Sequence, residues 1–549
     1  MVIFTISLTA ATAARRLMIL NNGRRYCMAQ DTAGKGTAAV KVTTDCGEII
    51  GLQRQGYQEF RGIPYAEPPI GVGRFKPPAP LLPLDEPLQA ARFGDAAPQD
   101  KIPLFGINHT SEDCLYLNIW TPACDQRQRP VMVWIHGGGY LTGSSSQIIY
   151  HGHKLAMSGD VVVVSVNYRL GALGFLYLNQ LLEDHHGVSA NNGLLDQIEA
   201  LRWVQRNIAA FGGNPDAVTL FGESAGAMSI AALLACPAAT GLFQRAILQS
   251  GGADQVQSPA AATELAARFL EYAGVRPDQA EQLWQLPVDQ ILSAQRRLTR
   301  HWFDRGPYSQ PVMQTGMTLV PVVDGELLPQ TPLAALQGGR ARDCPIMVGC
   351  TRDEWKLFVN LPSGEGVFTS SQIQDLEKSD LIKLLETTLP GMGERAANLY
   401  EKVVQRQGDG VDLAAIYSAY ESDRMFRIPS LRIAEAQSEH SDRIYMFQFN
   451  WDQGGFGACH ASDIPLVFGC TEHPAGQFLC GADPGAGKLS DRVQNCWIAF
   501  ARSGDPSTDE VGKWPAFDDE SRQVMCFDRQ SGVQTDPFAD SAELWEGVL

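Results

Sequence analysis

The sequence has no apolar run of the roughly 18 residues that a helix needs to cross a bilayer. It is also poor in basic residues: 44 lysines and arginines stand against 61 aspartates and glutamates, which gives a net charge of −17. A surface this acidic repels phosphate backbones and anionic lipid headgroups. We therefore expect neither a nucleic acid nor a membrane as a partner of this protein.

The sequence also lacks the ligand patterns of metal sites. The 12 cysteines are scattered without a C-x-x-C pair, and no H-E-x-x-H string occurs. We therefore expect no metal and no cofactor.

The cysteines also bear on the compartment. A secreted protein with 12 cysteines normally shows a compact disulfide framework, whereas these are spread along the chain, which favours reduced thiols and a cytoplasmic location. A local bridge between Cys470 and Cys480 stays open. Residues 1–14 are apolar and end in small residues, so secretion is the alternative if they act as a signal peptide, although a basic n-region is missing. We expect residues 1–37 to form an N-terminal extension.

Strand-like and helical segments alternate along the rest of the chain. The β-branched run 160–166 is typical of a strand buried on both faces, and apolar residues recur at helical spacing over 191–211. Other strand-like segments lie at 40–60, 245–248, 344–349 and 443–451. This alternation predicts an α/β fold, with a large, mostly parallel central sheet flanked by helices, as a single domain over residues 38–549. Helical insertions near 255–310 and 370–440 are expected to cap the sheet.

The most informative string is Gly222-Glu223-Ser224-Ala225-Gly226, which reads G-x-S-x-G. A buried-strand run at 218–221 precedes it, and a helix-forming run at 227–234 follows it. Strand, sharp turn and helix form the context that exposes a nucleophilic serine at the top of a sheet. The flanking glycines permit a turn too tight for a Cβ. We predict that Ser224 is a nucleophile.

A second motif supplies the donors that such a serine needs. The apolar strand 130–135 runs into His136-Gly137-Gly138-Gly139-Tyr140, and glycines leave backbone N–H groups uncovered for a developing oxyanion. We predict Gly138, Gly139 and Ala225 as the oxyanion-hole donors. A phosphate-binding loop is the alternative, but the string lacks G-K-[ST], and Thr142 stands where G-x-G-x-x-G requires its last glycine.

A nucleophilic serine needs a base, and the base needs a carboxylate that holds its tautomer. In α/β-hydrolases the acid and then the histidine follow the serine, each in a loop after a strand. A strand at 345–349 leads to Asp353 and Glu354, and either carboxylate fits the acid. Chain order leaves His460 and His473 as bases, and position after the strand near 443–451 favours His460.

With these motifs in place, the chain resembles the type B carboxylesterases, which include bacterial para-nitrobenzyl esterases, animal carboxylesterases and cholinesterases. The matching strings span most of the chain and lie at 60–69, 111–118, 193–197, 207–213, 249–251 and 500–506. The resemblance implies an α/β-hydrolase fold. It also implies a triad of Ser224, Glu354 and His460, an oxyanion hole of Gly138, Gly139 and Ala225, and supporting roles near the triad for Glu223 and Ser250. Asp353 then becomes a structural neighbour of the acid.

The chain also departs from the family pattern. Ala97 stands where members with an early disulfide have a cysteine, and no cysteine lies between Cys236 and Cys344 for the second disulfide, which again favours a reducing compartment. No tryptophan occurs at 100–110, where cholinesterases have one for quaternary ammonium, so cholinesterase activity is not expected. Tyr140 replaces the usual phenylalanine after the glycine loop, and Trp355 replaces the usual glycine after the acid. We expect both residues, together with Phe456, in the substrate pocket.

The prediction is a serine carboxylesterase that hydrolyses a small carboxylic ester, of short to medium acyl chain, through an acyl-enzyme on Ser224. One alternative is a hydrolase of a related acyl group, such as a carbamate, an amide or a tricarballylic-type polyester, because the same machinery serves all of them. The other is an inactive binding protein of the same fold, which the intact set of motif residues disfavours.

Overall fold

A computed structural model describes residues 38–182, 187–299, 317–360, 373, 375, 377–408 and 410–548. Within them, 13 strands form a single sheet. The strands are β1 (Ala39–Thr44), β2 (Gly47–Arg54), β3 (Tyr57–Pro64), β4 (Leu88–Gln89), β5 (Tyr116–Thr121), β6 (Arg129–Ile135), β7 (Val162–Val166), β8 (Gly213–Glu223), β9 (Arg245–Gln249), β10 (Ile346–Thr351), β11 (Ile444–Phe449), β12 (Gln523–Phe527) and β13 (Gly532–Thr535).

The sheet runs in the order β1-β2-β3-β5-β7-β6-β8-β9-β10-β11-β12-β13, with β4 beside β2. From β7 to β12 all neighbouring strands are parallel, whereas β1–β3, β5 and β13 pair antiparallel at the two edges. Every residue of β7 and β10 is buried, as expected for strands covered on both faces. The predicted large, mostly parallel sheet is confirmed.

Helices cover both faces of the sheet. They are α1 (His153–Gly159), α2 (Gly171–Phe175), α3 (Asn192–Asn207), α4 (Ala225–Ala235), α5 (Pro259–Ala273), α6 (Val288–Thr299), α7 (Pro332–Gln337), α8 (Lys356–Asn360), α9 (Lys378–Glu386), α10 (Gly393–Gln407), α11 (Leu413–Ser422), α12 (Ile428–Ser438), α13 (Ile464–Phe468), α14 (Pro474–Cys480), α15 (Gly485–Ser503) and α16 (Ala539–Leu544). None of these described helices is long and apolar enough to cross a membrane.

Alternate residues of the central strands belong to two separate apolar clusters. Val162 and Val164 of β7 lie in one cluster, and Val163 between them lies in the other. Because successive side chains of a strand point to opposite faces, the two clusters are the two halves of a core divided by the sheet. The sheet therefore holds the loops at the carboxyl ends of its parallel strands on a rigid support.

Several predicted boundaries shift by a few residues in the structure, and the helix at 191–211 and the strand at 344–349 are examples. The segment 191–211, predicted as one helix, is α3 up to Asn207 followed by a 3-10 turn, Ile208–Phe211, which ends at Gly212 in a left-handed conformation (φ 80°). The strand predicted at 344–349 begins at Ile346 and continues to Thr351.

The predicted helical insertions are helical where they are described. Helices α5 and α6 lie within 255–299, and α9 to α12 lie within 378–438. The rest of the first insertion (300–310), positions 370–372, 374, 376 and 409 of the second, and the extension 1–37 lie outside the described residues.

All 11 cysteines in the described part of the chain are free thiols. The bridge considered between Cys470 and Cys480 does not form. The thiol of Cys470 donates to the carbonyl oxygen of Ile149 at 3.7 Å, and the thiol of Cys480 donates to that of Gly481 at 3.6 Å.

Candidate active site

Ser224 occupies the turn between β8 and α4. Its backbone has φ 56° and ψ −128°, a conformation that residues with a Cβ rarely adopt and that costs of the order of 1–3 kcal/mol. Its N–H donates to the carbonyl oxygen of Gln249 on β9 at 2.9 Å, and its carbonyl oxygen accepts from the N–H of Met228 at 2.9 Å. The neighbouring strand and the first turn of α4 thus hold a strained turn that presents the serine at the end of the sheet.

The glycine loop after β6 lies directly against this turn. A Cβ added to Gly137 would lie 2.9 Å from the Cβ of Ser224 and 2.6 Å from the carbonyl oxygen of Glu223, so only glycine permits the approach. Within the described residues, the N–H groups of Gly138, Gly139 and Ala225 donate to no protein acceptor. Ala225 is the first residue of α4, where an N–H has no partner inside the helix. Three backbone donors therefore remain available beside the serine.

A buried histidine supports the glycine loop, a role that its place in the motif did not indicate. The Nδ1 atom of His136 lies 2.9 Å from the carbonyl oxygen of Gly137, and burial lowers the pKa of His136 to about 4. The imidazole is therefore neutral at physiological pH and donates from Nδ1. The ring of Tyr168 stacks on it at 4.5 Å, and the Tyr168 hydroxyl donates to the carbonyl oxygen of His136 at 2.7 Å.

The predicted acid and the predicted base follow two adjacent parallel strands. Glu354 lies in the loop after β10 and His460 in the loop after β11, and the Nδ1 of His460 lies 2.5 Å from Oε2 of Glu354. The other carboxylate oxygen, Oε1, accepts from the hydroxyl of Ser250 at 2.6 Å and from the N–H of Thr351 at 2.7 Å. Glu354 is fully buried, so these donors take the place of water and fix the carboxylate.

The alternative acid and base make structural contacts elsewhere. Asp353 pairs with Arg352 at 2.9 Å and Lys356 at 3.3 Å, and it accepts from the N–H of Ala458 at 3.3 Å. His473 caps the N-terminus of α14, where its Nδ1 accepts from the N–H of Ala475 at 3.1 Å. The structure brings Glu354, and not Asp353, to the imidazole of His460.

A second carboxylate faces the same imidazole. The Oε1 of Glu223 lies 3.0 Å from Nε2 of His460. Burial by itself would lower the pKa of His460, but the negative charges of Glu223 and Glu354 outweigh it and raise that pKa above its usual value. No hydrogen bond joins Ser224 Oγ to His460 Nε2 within the described residues. Catalytic hydrogen bonds commonly tighten only when substrate binds.

Asp463 is a further buried acid near the site. Its Oδ2 accepts from the side-chain amide of Gln249 at 2.6 Å. Burial, reinforced by the charge of Glu223, raises the pKa of Asp463 to about 7. No motif marks this residue, and only the packing of the His460 loop against β9 reveals it.

Ser224 and His460 open into one cavity of about 540 Å³. Its wall is mainly apolar and includes Phe105, Met228, Trp355, Phe358, Met425 and Phe426. Among the described residues that line it, Glu223 is the only carboxylate, His460 is the only histidine, and none is a lysine or an arginine. The cavity therefore suits an uncharged molecule.

The three predicted pocket residues fall in different places. Trp355 lines the cavity. Tyr140 is fully buried behind the glycine loop, with its ring 4.7 Å from Phe175, and its carbonyl oxygen accepts from the N–H of Gly171. Phe456 does not line the cavity; its ring lies 5.7 Å from that of Phe478, which does. Tyr140 and Phe456 thus support the site from outside the cavity.

Comparison with known proteins identifies the family. The profile of the carboxylesterase family matches residues 38–545. The chain belongs to the carboxylesterase family. This carboxylesterase is 37% identical over 512 residues to the para-nitrobenzyl esterase of Bacillus subtilis (strain 168). The match covers 91% of this chain and 97% of that protein. It is 33% identical over 499 residues to the phenmedipham hydrolase of Pseudarthrobacter oxydans, with 88% and 94% covered.

Solved structures agree with this assignment. A carboxylesterase of Geobacillus stearothermophilus superposes with a TM-score of 0.81 at 36% identity, and the match covers 92% of this chain and 100% of that one. The predicted type B carboxylesterase family, the α/β-hydrolase fold and the class of carboxylic ester hydrolases are confirmed.

Proposed function

We propose that this carboxylesterase cleaves uncharged esters of short to medium acyl chain through an acyl-enzyme on Ser224. The observation that carries the proposal is the 2.5 Å contact between His460 Nδ1 and Glu354 Oε2 beside the cavity that Ser224 also lines. A carboxylate at Nδ1 holds the tautomer in which the neutral imidazole carries its proton on Nδ1 and can accept another at Nε2.

In the proposed reaction, the Oγ of Ser224 attacks the carbonyl carbon of the ester while Nε2 of His460 takes the hydroxyl proton. The carbonyl oxygen becomes an oxyanion and accepts from the N–H groups of Gly138, Gly139 and Ala225. Each such donor typically contributes about 3–4 kcal/mol to the transition state. Glu354 stabilises the imidazolium that forms.

The tetrahedral intermediate then collapses, and the alcohol leaves with the proton from His460. Water then enters, gives a proton to His460 and attacks the acyl carbon. The second tetrahedral intermediate collapses as its bond to Oγ breaks, and His460 returns the proton to Oγ while the carboxylic acid leaves. Every proton taken by His460 is returned in the same half-reaction, so the cycle needs no cofactor.

The size and lining of the cavity support the choice of substrate. A space of about 540 Å³ is within the usual range for small-molecule sites, and its aromatic and thioether walls favour apolar acyl and alcohol groups. The free thiols of Cys114, Cys236 and Cys344 also support our proposal that the protein works in a reducing compartment.

The test is hydrolysis of para-nitrophenyl esters from acetate to long acyl chains, with wild type beside Ser224→Ala. We expect serine-dependent turnover that is highest for short and medium chains. Turnover of the variant at the wild-type rate would contradict the proposed nucleophile. Serine-dependent cleavage of a carbamate or an amide with none of an ester would favour the alternative hydrolase.

A further inference from the structure

A π-helical turn, Asp423–Arg427, joins α11 to α12 beside the active site. Such turns are rare, and within longer helices they occur frequently at functional sites. Two of its residues, Met425 and Phe426, line the cavity. The ring of Phe426 lies 4.6 Å from the imidazole of His460. This π-turn thus contacts the proposed base directly.

The same segment also holds the loop that carries the proposed acid. The N–H of Trp355 donates to Oγ of Ser422, the residue before the π-turn, at 2.9 Å. The guanidinium of Arg427, its last residue, donates to the carbonyl oxygen of Arg352. Positions 352 and 355 flank Glu354, so the acid loop is tied down on both sides of the acid.

Arg427 is itself held by a chain of buried polar groups. It pairs with the carboxylate of Asp423, whose other oxygen accepts from the hydroxyl of Tyr400 at 2.9 Å. The indole N–H of Trp545 donates to that hydroxyl at 2.7 Å. All four side chains are buried, so charge-assisted bonds among them fix their geometry.

We propose that three side chains of this segment brace the acid and the base together: Ser422 and Arg427 are positioning residues for Glu354, and Phe426 is a positioning residue for His460. A π-turn has one residue more per hydrogen-bonded turn than an α-helix, and one residue rotates a helix face by about 100°. This rotation lets Phe426 face the imidazole while Arg427 reaches the acid loop. The inference rests on the proposed function, because the brace matters only if Glu354 and His460 serve Ser224.

Arg424 provides a matched control within the same π-turn. It pairs with Glu421 of α11 at 2.7 Å, and both side chains are at least nine-tenths buried. Arg424→Gln breaks a buried ion pair, as Arg427→Gln does, but leaves the contact with the carbonyl of Arg352 in place. A comparison of the two variants separates loss of the brace from a general loss of stability.

The experiment measures kcat and KM on a para-nitrophenyl ester for Arg427→Gln, Arg427→Lys, Ser422→Ala and Arg424→Gln. Because misplacement by about 1 Å can cost about 100-fold in rate, we expect Arg427→Gln to lower kcat about 10- to 100-fold with little change in KM. Lysine cannot serve both acceptors as the guanidinium does, so Arg427→Lys should recover only part of the rate. Arg424→Gln should stay near wild type.

A spectroscopic readout completes the test. The proton between His460 Nδ1 and Glu354 should give a low-field proton NMR resonance, assigned by its loss in His460→Gln. We expect it to move upfield in Arg427→Gln and Ser422→Ala, because the hydrogen bond lengthens, and to stay in place in Arg424→Gln. If Arg427→Gln fails to fold, Ser422→Ala and Arg427→Lys decide the outcome.

Two results would overturn the brace. One is that folded Arg427→Gln and Ser422→Ala both keep the wild-type kcat and the wild-type resonance. If Arg427→Gln does not fold, the same result in Ser422→Ala and Arg427→Lys has the same meaning. The other is an equal loss of kcat in Arg424→Gln. Failure of the proposed function looks different, since wild type itself would then show no turnover that depends on Ser224.

Discussion

The Oε1 of Glu223 lies 3.0 Å from Nε2 of His460, on the edge of the imidazole opposite Glu354. The ring is therefore held between two carboxylates in a buried site. This arrangement raises the pKa of His460 in spite of burial, so it favours the imidazolium that the proposed mechanism forms.

Glu223→Gln is predicted to shift the pH dependence of the reaction. The base must be neutral to accept a proton, so the acid limb of the pH profile of kcat/KM follows the pKa of His460. The two carboxylates hold this pKa above its usual value of about 6.5. Removal of one nearby charge should move this limb to lower pH by about one to three units. The exposed Glu472→Gln serves as the control. An acid limb that stays in place in Glu223→Gln would show that this carboxylate does not act on His460.

Glu354→Gln and Asp353→Asn are predicted to differ sharply, although the two residues are adjacent. Loss of the carboxylate at His460 Nδ1 should lower kcat by about 10⁴-fold, since the imidazole loses its fixed tautomer. Asp353 instead binds Arg352, Lys356 and the N–H of Ala458, so its variant should lose stability while kcat falls by less than about 10-fold. The measurement is kcat beside a urea unfolding curve for each. A larger loss of kcat in Asp353→Asn would reverse the assignment.

Gly226→Ala is predicted to disrupt the turn at Ser224. A Cβ at this position would lie 2.0 Å from the carbonyl oxygen of Ile135, which belongs to the rigid strand β6. Overpacking of this kind costs typically about 1–3 kcal/mol and displaces the backbone. Gly455→Ala, whose Cβ would meet nothing within 4 Å, is the control. The midpoint of urea unfolding and the rate of ester turnover should both fall for Gly226→Ala alone. Normal turnover in that variant would refute the close contact between position 226 and the carbonyl oxygen of Ile135.

Met425→Ala is predicted to change the acyl preference. Met425 is buried and lines the cavity, so truncation enlarges the space beside the aromatic wall. The ratio of kcat/KM for the octanoate ester to that for the acetate ester should rise by about 10-fold. The reason is that the enlarged space buries more methylenes of the octanoyl chain, and each contributes about 0.8 kcal/mol to binding. Met157→Ala, on an exposed side chain, should leave the ratio unchanged. An unchanged ratio in Met425→Ala would place the acyl group elsewhere.

The sequence predicted what depends on local pattern and missed what depends on packing. The turn at Ser224 and the loop at Gly138 are marked by glycines whose backbone requirements are visible in the string. Chain order and strand position also led to His460, and Glu354 needed the family resemblance to be chosen over Asp353. The π-turn at Asp423–Arg427 is marked only indirectly. Pro429 has no N–H to donate to the carbonyl of residue 425, which indicates a break in the helix but does not show that the break is π-helical.

Tyr140 shows the same limit at a single residue. Its place directly after the glycine loop suggested a pocket residue, yet a left-handed backbone (φ 59°) turns the side chain into the core beside Phe175. Neighbourhood in sequence did not reveal which way the side chain points. Asp463 likewise follows His460 by three residues, but its burial against Gln249 arises from the fold.

The most direct test of the account is to trap the acyl-enzyme. Wild type mixed with para-nitrophenyl acetate and quenched in acid within the first turnovers should carry one acetyl group, located by peptide mass spectrometry on Ser224. Ser224→Ala should carry none, while the exposed Ser158→Ala should match wild type. Ester turnover with the acetyl group on another residue, or with none on the wild-type enzyme during a burst of para-nitrophenol, would contradict the proposed mechanism.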